Sequence, residues 1–419
     1  MASSSRTAAH PSGAARRRRT RPPGAATREF VVLAATVAVL LVLGLVMTFS
    51  SSFVRSAAET GDAFSIFQRQ LFACLAGVPL LVGAALIDYR VWRRVAPLLL
   101  LTALTTAVLV LLPSVGVVAY GARRWIALGP VTFQPTELLK LAVPLFLAHV
   151  IARRWAQIRA GDLRSLLLPA APLLFCSALL VMGQPDLESA GLVLAIGGLV
   201  LLAAGLPWRI LAVGAGAGAL AGVVAIVSTE FRRGRIMAWL DPMAYPGDLG
   251  YQTVQGYLAL GSGGVFGRGL GQGRGQWLYI PNAHTDFIYA IIGEELGLLG
   301  ALFVLLLFAV VAVLGMRIAR GAPDPFGRLV ATAITGGLLL QAGMNMGSVV
   351  GLLPVTGVTL PLISFGGTSL VLTMLACGIL LSIARHVVVP DPPAGPAKGA
   401  RPQRRQVTRR RRRPKEVAS

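Results

Sequence analysis

Ten apolar runs, each long enough to cross a bilayer, occupy most of the chain between residues 30 and 388. About 20 apolar residues span the hydrocarbon core as a helix. Lipid offers no hydrogen-bond partners to the backbone, so such runs are expected to be helical. The sequence therefore predicts an all-α integral membrane protein of about ten transmembrane helices, with a large extracytoplasmic loop, 229–285, between helices 7 and 8. The runs lie near 30–50, 70–88, 95–113, 136–151, 165–182, 188–206, 208–228, 286–315, 327–352 and 367–388.

The helix count depends on the pair 188–206 and 208–228, which a single Pro207 separates. If this proline only kinked one long helix, there would be nine spans, and the C-terminus would lie outside. Short cytoplasmic loops are enriched in Lys and Arg. With ten spans and an internal N-terminus, the basic loops and the arginine run at 409–413 all fall inside, so ten is the better count. The loop arginines on that side are Arg90, Arg93, Arg94, Arg153, Arg154, Arg159, Arg164, Arg209, Arg317, Arg320 and Arg328.

The two ends, 1–29 and 389–419, contain too few apolar residues to fold alone and are predicted to be disordered basic cytoplasmic tails. The formal net charge of +22 first suggests nucleic acid. The basic residues, however, are concentrated in the tails and in short loops beside apolar runs. This distribution indicates anionic lipid at the membrane surface, and no nucleic-acid partner is expected.

Cysteines and the first apolar run bear on processing. All three cysteines, Cys74, Cys176 and Cys377, lie inside apolar segments, so no structural disulfide is expected. The run at 30–50 is long enough to span the bilayer and no clear cleavage site follows it. It is therefore predicted to be a retained helix rather than a signal peptide.

Two outward segments, 114–135 and 229–285, carry arginines that the predicted topology does not need, which indicates an anionic ligand there. The glycine-rich stretch 261–275 in the second segment has neither the ending of a P-loop nor a preceding strand. With its arginines it would either cradle a diphosphate through backbone amides or form a mobile loop. The two interpretations have equal weight from the sequence alone. The outward arginines are Arg123, Arg124, Arg232, Arg233, Arg235, Arg268 and Arg274.

Acidic residues near the second loop are the candidates for chemistry, because no metal cluster, serine triad or cysteine nucleophile is visible. Asp286 stands at the boundary where the next apolar run begins. From position alone, a helix cap made with Thr285 is favoured over a general base. His284 would tune that carboxylate or bind phosphate, and taken alone it is more often structural. Glu294 and Glu295 lie deeper in the same helix, where at least one needs a partner.

Glu137 and Lys140 are three residues apart in another apolar run and can meet on one helix face. An internal salt bridge is the first interpretation, and a role in the site ranks second. The segment 351–369 is an outward connection built of Pro, Gly and hydroxyl residues, as expected for backbone that lines a cavity.

Six motifs, taken together and in order, resemble the SEDS family (shape, elongation, division and sporulation) over roughly residues 30–388. Within the family the resemblance is strongest to the septal division branch, followed by the rod-shape and sporulation branches. It implies a ten-helix peptidoglycan glycosyltransferase that polymerises lipid II outside the cytoplasmic membrane. The motifs are Gly121–Ile126, Phe133–Lys140, Gln184–Asp186, Ala283–Ile288, Gly293–Gly297 and Pro361–Ser369.

The resemblance also implies roles for individual residues, and it reverses the preference for a cap at Asp286, which becomes the catalytic base. The residues implied to bind substrate are Arg123, Arg124, Arg268, Arg274, His284, Lys140 and Glu137. Supporting positions are Glu294, Glu295, Ser364, Gly366 and Gly367. The implied partners are lipid II, undecaprenyl-diphosphate-linked glycan, a class B penicillin-binding protein and other division proteins. No protein metal site or organic cofactor is expected, and a divalent cation, Mg²⁺ or Mn²⁺, is the one candidate helper.

The chain departs from the family pattern at several positions, none of which is Asp286. Leu187-Glu188 stands where Leu-Gly is usual, and Asn282, Phe365 and Thr368 are also uncommon. Two alternatives to polymerisation stay open. A lipid II flippase would depend on a charge within the membrane such as Glu294, whereas a non-catalytic division scaffold would tolerate loss of Asp286.

Overall fold

Among the residues that it describes, the computed structural model contains ten helices long and apolar enough to cross a membrane. It describes residues 27–119, 121–129, 131–245, 247, 250–273, 275, 280 and 283–387. Both predicted tails lie outside these ranges apart from a few flanking residues. The ten helices are α1 (Arg28–Thr60), α2 (Ser65–Leu86), α3 (Arg90–Leu109), α4 (Pro135–Arg153), α6 (Leu163–Met182), α7 (Leu187–Ala204), α8 (Trp208–Val227), α11 (Ile288–Gly321), α12 (Pro325–Val349) and α13 (Gly367–Arg385). The predicted all-α membrane fold is confirmed.

Pro207 separates two helices rather than kinking one. Helix α7 closes at Gly205, whose backbone is left-handed with φ 105°, as is common at helix ends. Pro207 is then the N-cap residue of α8. Helix α1 is longer than its apolar run predicts. Its 33 residues extend about 50 Å at 1.5 Å per residue, which exceeds the hydrocarbon core.

The helix connections fall on two sides. On the side that we call the terminal side, the Thr27 hydroxyl donates to the Ala384 carbonyl at 3.0 Å, so the beginning of α1 meets the end of α13. The Ser382 hydroxyl donates to the Ile87 carbonyl at 2.6 Å on the same side. The opposite side, which we call the loop side, carries the long connections 110–134, 228–287 and 350–366.

Short elements fill the loop-side connections, and the sequence did not predict them. Residues 116–133 form an antiparallel three-stranded sheet in the order β1-β2-β3, with Ile126 of the central strand opposite both Gly116 and Phe133. Two α-helices lie within the described part of the second connection. The bounds are β1 (Gly116–Ala119), β2 (Ala122–Leu128), β3 (Val131–Phe133), α9 (Glu230–Leu240) and α10 (Tyr251–Ser262); α5 (Trp155–Arg159) lies on the terminal side.

Small residues allow close helix packing in the core. A Cβ on Gly378 of α13 would lie 2.4 Å from the Leu81 carbonyl oxygen of α2, and one on Gly77 would meet the Met374 sulfur. This is the small-residue packing typical of membrane bundles. Helix α4 is largely buried, whereas the described part of the structure buries no side chain of α8.

Helix α11 is broken at Gly297, where φ is 71° and ψ is −168°. The glycine-rich segment fills the break. The Leu298 amide donates to the Gly264 carbonyl at 2.9 Å, and the Leu299 amide donates to Val265 at 3.2 Å. These bonds replace the helical ones that the break removes, as the membrane interior requires.

We predict that Gly297→Ala destabilises the fold. Its backbone lies in a region that essentially only glycine adopts, at a cost of roughly 1–3 kcal/mol for other residues. An added Cβ would also lie 2.3 Å from the Gly267 nitrogen. Thermal unfolding in detergent should show a lower transition temperature. The control is Gly343→Ala in α12, where a Cβ meets nothing within 4 Å. An unchanged transition for Gly297→Ala would refute the strained break.

Candidate active site

Asp286 lies on the loop side immediately before α11, buried to 9% exposure. Its Oδ1 accepts a hydrogen bond from the Thr285 hydroxyl at 2.8 Å. The N-cap residue of α11 is Phe287, and no side chain caps this end. The cap that position alone favoured is therefore wrong, and the carboxylate is left for another use.

Asn345 of α12 fixes the backbone at Asp286. Its fully buried amide nitrogen donates to the Asp286 carbonyl at 2.9 Å and to the Val358 carbonyl at 2.8 Å. One side chain thus joins the segment before α11 to the connection 350–366. Asn345 is not among the residues predicted from the sequence. A detectable signal existed, because Gln341, Asn345 and Ser348 form a polar stripe at helical spacing in an apolar run.

Burial raises the pKa of Asp286 to about 6, because desolvation disfavours the charged form. The Thr285 hydrogen bond and the positive charge of Arg235 oppose this effect. A carboxylate with such a pKa is ionised in most molecules at neutral pH and is still basic enough to accept a proton.

His284 is neutral in this site. Burial, and secondarily the charge of Arg55, lower its pKa to about 4. Its ring lies 5.4 Å from that of Phe365, and its Nδ1 has no hydrogen-bond partner among the described residues. A neutral imidazole does not supply the positive charge that phosphate binding favours. Arg55 and Glu59, which form an ion pair at 2.6 Å on the extended end of α1, act electrostatically on His284 and were not predicted from the sequence.

The segment around Ser364 lies against His284. The Phe365 amide donates to the His284 carbonyl at 2.9 Å. Gln70 of α2 holds this segment twice, donating to the Ser364 carbonyl at 3.1 Å and accepting from the Gly366 amide at 3.2 Å. The Ser364 hydroxyl accepts from the Leu360 amide at 2.8 Å, and Gly367 begins α13. These positions shape the wall of the site.

Lys140 and Glu137 form the predicted salt bridge, at 2.7 Å. Lys140 also donates to Gln341 at 3.1 Å, and Gln341 donates to the Thr359 carbonyl at 3.1 Å. The pair lines a cavity of about 60 Å³ whose other walls come from α7, α12 and α13. Because Gln341 and Asn345 are one turn apart on α12, one helix face contacts both this cavity and Asp286.

The predicted arginines differ in their surroundings. Arg124 donates to the Gln184 carbonyl at 3.2 Å and to the Pro185 carbonyl, and lies 4.0 Å from Asp186. It therefore braces the beginning of α7. Arg123 forms no side-chain hydrogen bond or ion pair with any residue that the structure describes. Arg274 lies outside the described residues.

The glycine-rich segment binds to α11 instead of presenting free amides. The Arg268 amide donates to the Glu294 carbonyl and the Gly269 amide to the Glu295 carbonyl, each at 3.0 Å. The Gly275 amide donates to the Glu294 carboxylate at 3.0 Å. These amides are engaged within the protein, which argues against the diphosphate cradle, and the network equally argues against a loosely held loop. The Arg268 guanidinium donates to the Ser262 carbonyl at 3.2 Å.

Glu294 and Glu295 have the partners that their membrane position requires. Both are buried to 1% exposure. Glu295 shares a hydrogen bond with the Ser50 hydroxyl of α1 at 2.7 Å, and Ser50 accepts from the Gly271 amide at 3.2 Å. The two glutamates thus connect α1, α11 and the glycine-rich segment. Within the described ranges, no three His, Cys, Asp or Glu side chains come together as a metal site would need.

Comparison with known proteins shows the family of the chain. A family model described as "Cell cycle protein", for FtsW, RodA and SpoVE, matches residues 31–388. "Probable peptidoglycan glycosyltransferase FtsW" of Mycobacterium tuberculosis is 42% identical, over 85% of this chain and 68% of its own length. "Stage V sporulation protein E" of Bacillus subtilis is 40% identical over 83% of this chain and 94% of its own.

A solved structure gives the same result. One chain, described under "Structural coordination of polymerization and crosslinking by a peptidoglycan synthase complex", has a TM-score of 0.68 and 31% identity, covering 85% of this chain and 97% of its own. The family match covers residues 31–388, which include nearly all of the residues that the structure describes. The chain belongs to the FtsW/RodA/SpoVE family, the SEDS proteins.

Proposed function

We propose that this protein is a peptidoglycan glycosyltransferase that polymerises lipid II at the outer face of the cytoplasmic membrane, for septal wall synthesis. One observation carries the proposal. In a chain of this family, a buried carboxylate with a pKa of about 6 stands on the loop side, its backbone fixed by Asn345. Relatives named as probable peptidoglycan glycosyltransferases are 36% to 42% identical.

In the proposed reaction, Asp286 accepts the proton of the acceptor's N-acetylglucosamine 4-hydroxyl. The hydroxyl oxygen attacks the anomeric carbon of the lipid-linked strand, and the bond from that carbon to the diphosphate oxygen breaks. Undecaprenyl diphosphate leaves with the bonding electron pair, and the configuration inverts. Burial supports this step, since a desolvated carboxylate has a pKa close to working pH.

Positive charge must balance the departing diphosphate. Arg123 is the strongest candidate, because its guanidinium is not used inside the described structure. Arg124 contributes indirectly by bracing α7, and Arg268 lies at the glycine-rich segment. The described residues provide no cluster for a divalent cation. Mg²⁺ or Mn²⁺ would act only as a counter-ion carried by the diphosphate itself.

The arginine distribution supports the proposed orientation. The terminal-side connections are rich in arginine, which favours a cytoplasmic terminal side and an extracytoplasmic Asp286. The solved relative belongs to a peptidoglycan synthase complex. We propose a class B penicillin-binding protein as the partner, with other division proteins alongside it.

The flippase and scaffold alternatives receive less support. A flippase would use an intramembrane charge such as Glu294, but this side chain bonds to Gly275 and Ser262, as expected of a structural group. A scaffold would not need a fixed, buried carboxylate at the loop-side rim.

We predict that Asp286→Asn abolishes polymerisation while preserving the fold, because the amide cannot accept the proton. The loss should reach about 10²–10⁴-fold. The measurement is glycan formation from lipid II in liposomes with the cognate class B partner. The control is Asp241→Asn, an exposed loop-side aspartate, which should retain activity. Equal glycan from wild type and Asp286→Asn would contradict the proposal.

The pH dependence follows from the same carboxylate. Asp286 acts as a base only when ionised, and its pKa lies near 6 rather than its ordinary value of 3.8. Activity should therefore be present above pH 6 and fall as the pH drops through it. The acid limb of kcat/KM in the free enzyme reports this group. A limb centred near pH 4 would show that the site does not shift the carboxylate.

Asn345→Leu should lower kcat with the fold intact, because Asp286 loses the bond that fixes its backbone. Small misplacement of a catalytic group costs up to about 100-fold. Met344→Leu, at the neighbouring half-buried position, is the control and should behave as wild type. A normal kcat for Asn345→Leu in a stably folded protein would show that Asn345 does not position Asp286.

A further inference from the structure

Thr285 is the side chain that contacts the candidate base directly. Its hydroxyl donates to Oδ1 of Asp286 at 2.8 Å, and no other side chain within the described ranges is hydrogen-bonded to this carboxylate. Thr285 is half-buried and lies in the turn 283–286 that precedes α11. An ionised carboxylate only accepts hydrogen bonds, so the direction of this bond is fixed. The bond therefore makes the two carboxylate oxygens different from each other.

The backbone on both sides of Thr285 is anchored. The His284 carbonyl, which precedes it, accepts from the Phe365 amide at 2.9 Å. The Asp286 carbonyl, which follows it, accepts from the Asn345 side chain at 2.9 Å. These anchors come from two different elements, the segment before α13 and helix α12. Because threonine is β-branched and has few allowed rotamers, a threonine between two fixed carbonyls keeps its hydroxyl in one place.

The proposed reaction places a proton on Asp286, and the Thr285 bond distinguishes the two oxygens that could receive it. A proton arriving on Oδ1 would force the hydroxyl to break its bond or to reverse it. A proton arriving on Oδ2 leaves Oδ1 as the carbonyl oxygen of the acid, which still accepts, so the hydroxyl need not move. Hydrogen bonds to an ionised acceptor are the stronger ones. The bond is therefore strongest in the state that is ready to react.

We propose that Thr285 is a positioning residue, whose hydroxyl holds Oδ1 of Asp286 so that Oδ2 is the oxygen that accepts the proton of the sugar hydroxyl. Thr285 acts through the carboxylate and takes no part in bond making. The base is thus oriented at two levels, because Asn345 fixes its backbone and Thr285 fixes the rotation of its carboxylate. This inference rests on the proposed function of Asp286.

The test is kcat for lipid II polymerisation on the pH plateau, where Asp286 is fully ionised, measured with the full chain and its class B partner. Thr285→Val keeps the shape of the side chain and removes the donor. The carboxylate can then rotate, and kcat should fall by about 10–100-fold, while KM changes little. Thr285→Ser keeps a hydroxyl at the same position and should retain most of the activity.

Few charged groups surround this carboxylate. Arg235 of α9 acts on it with its positive charge, and the neighbouring His284 is neutral. Helix α10, the connection 350–366 and residues 335–349 of α12 contain no Asp, Glu, Lys, Arg or His. On α11 the first acidic residue is Glu294. Removing the threonine hydroxyl leaves all of these groups in place, so a shift of the acid limb of kcat/KM reports the lost hydrogen bond.

The acid limb separates positioning from a mere change in ionisation. The hydroxyl favours the ionised carboxylate, so Thr285→Val should also move the limb upward. A loss confined to the limb, with a normal kcat on the plateau, would overturn the positioning role, because ionisation has no further effect once the base is fully ionised. The control is Thr356→Val, which removes a buried hydroxyl without a hydrogen-bond partner among the described residues and should change neither quantity.

The outcome also separates this inference from the proposed function. An inactive Asp286→Asn with a fully active Thr285→Val rejects only the positioning role. Equal losses of kcat in folded Thr285→Val and Thr285→Ser reject it as well, because serine keeps the donor. An active Asp286→Asn rejects the base itself, whatever the Thr285 variants show.

Discussion

Backbone polar groups inside a membrane need hydrogen-bond partners within the protein. On the loop side of this protein there is one place where the helix itself does not supply them. Helix α11 breaks at Gly297, and the glycine-rich segment satisfies the amides and carbonyls that the break releases. Glu294 and Glu295 extend the same network to Ser50 of α1. This fixes the first part of α11 and, with it, the segment that carries Asp286.

A polar stripe on α12 fixes the site from the other direction. Gln341 contacts Lys140 and the connection 350–366, and Asn345, one turn away, contacts the same connection and the Asp286 carbonyl. The membrane cavity and the candidate base are therefore attached to a single helix face. A group brought to the loop side would meet a carboxylate whose backbone is rigid, whose pKa is raised by burial, and whose histidine neighbour is uncharged.

Much of the fold could be predicted because bilayer thickness and backbone satisfaction restrict apolar runs to spanning helices. The count of ten followed from charge on the loops, and the salt bridge of Glu137 with Lys140 followed from helical spacing.

Other features depend on contacts distant in sequence. Asn345 lies 59 residues from Asp286 and Gln70 lies 294 from Ser364, so no local pattern joins either pair. The break at Gly297 was hidden because glycine is common in membrane helices, and three short strands lack the length that makes a pattern detectable. The resemblance to a family, rather than helix position, singled out Asp286 as the candidate base.

The central claim is that Asp286 is a buried carboxylate that ionises near neutral pH. Infrared difference spectroscopy of the full chain in lipid tests it directly, by titrating the protonated carboxyl band and subtracting the spectrum of Asp286→Asn. We expect a band that disappears with a midpoint near pH 6 and is absent from the variant. A midpoint near pH 4, or a band unaffected by the substitution, would contradict it.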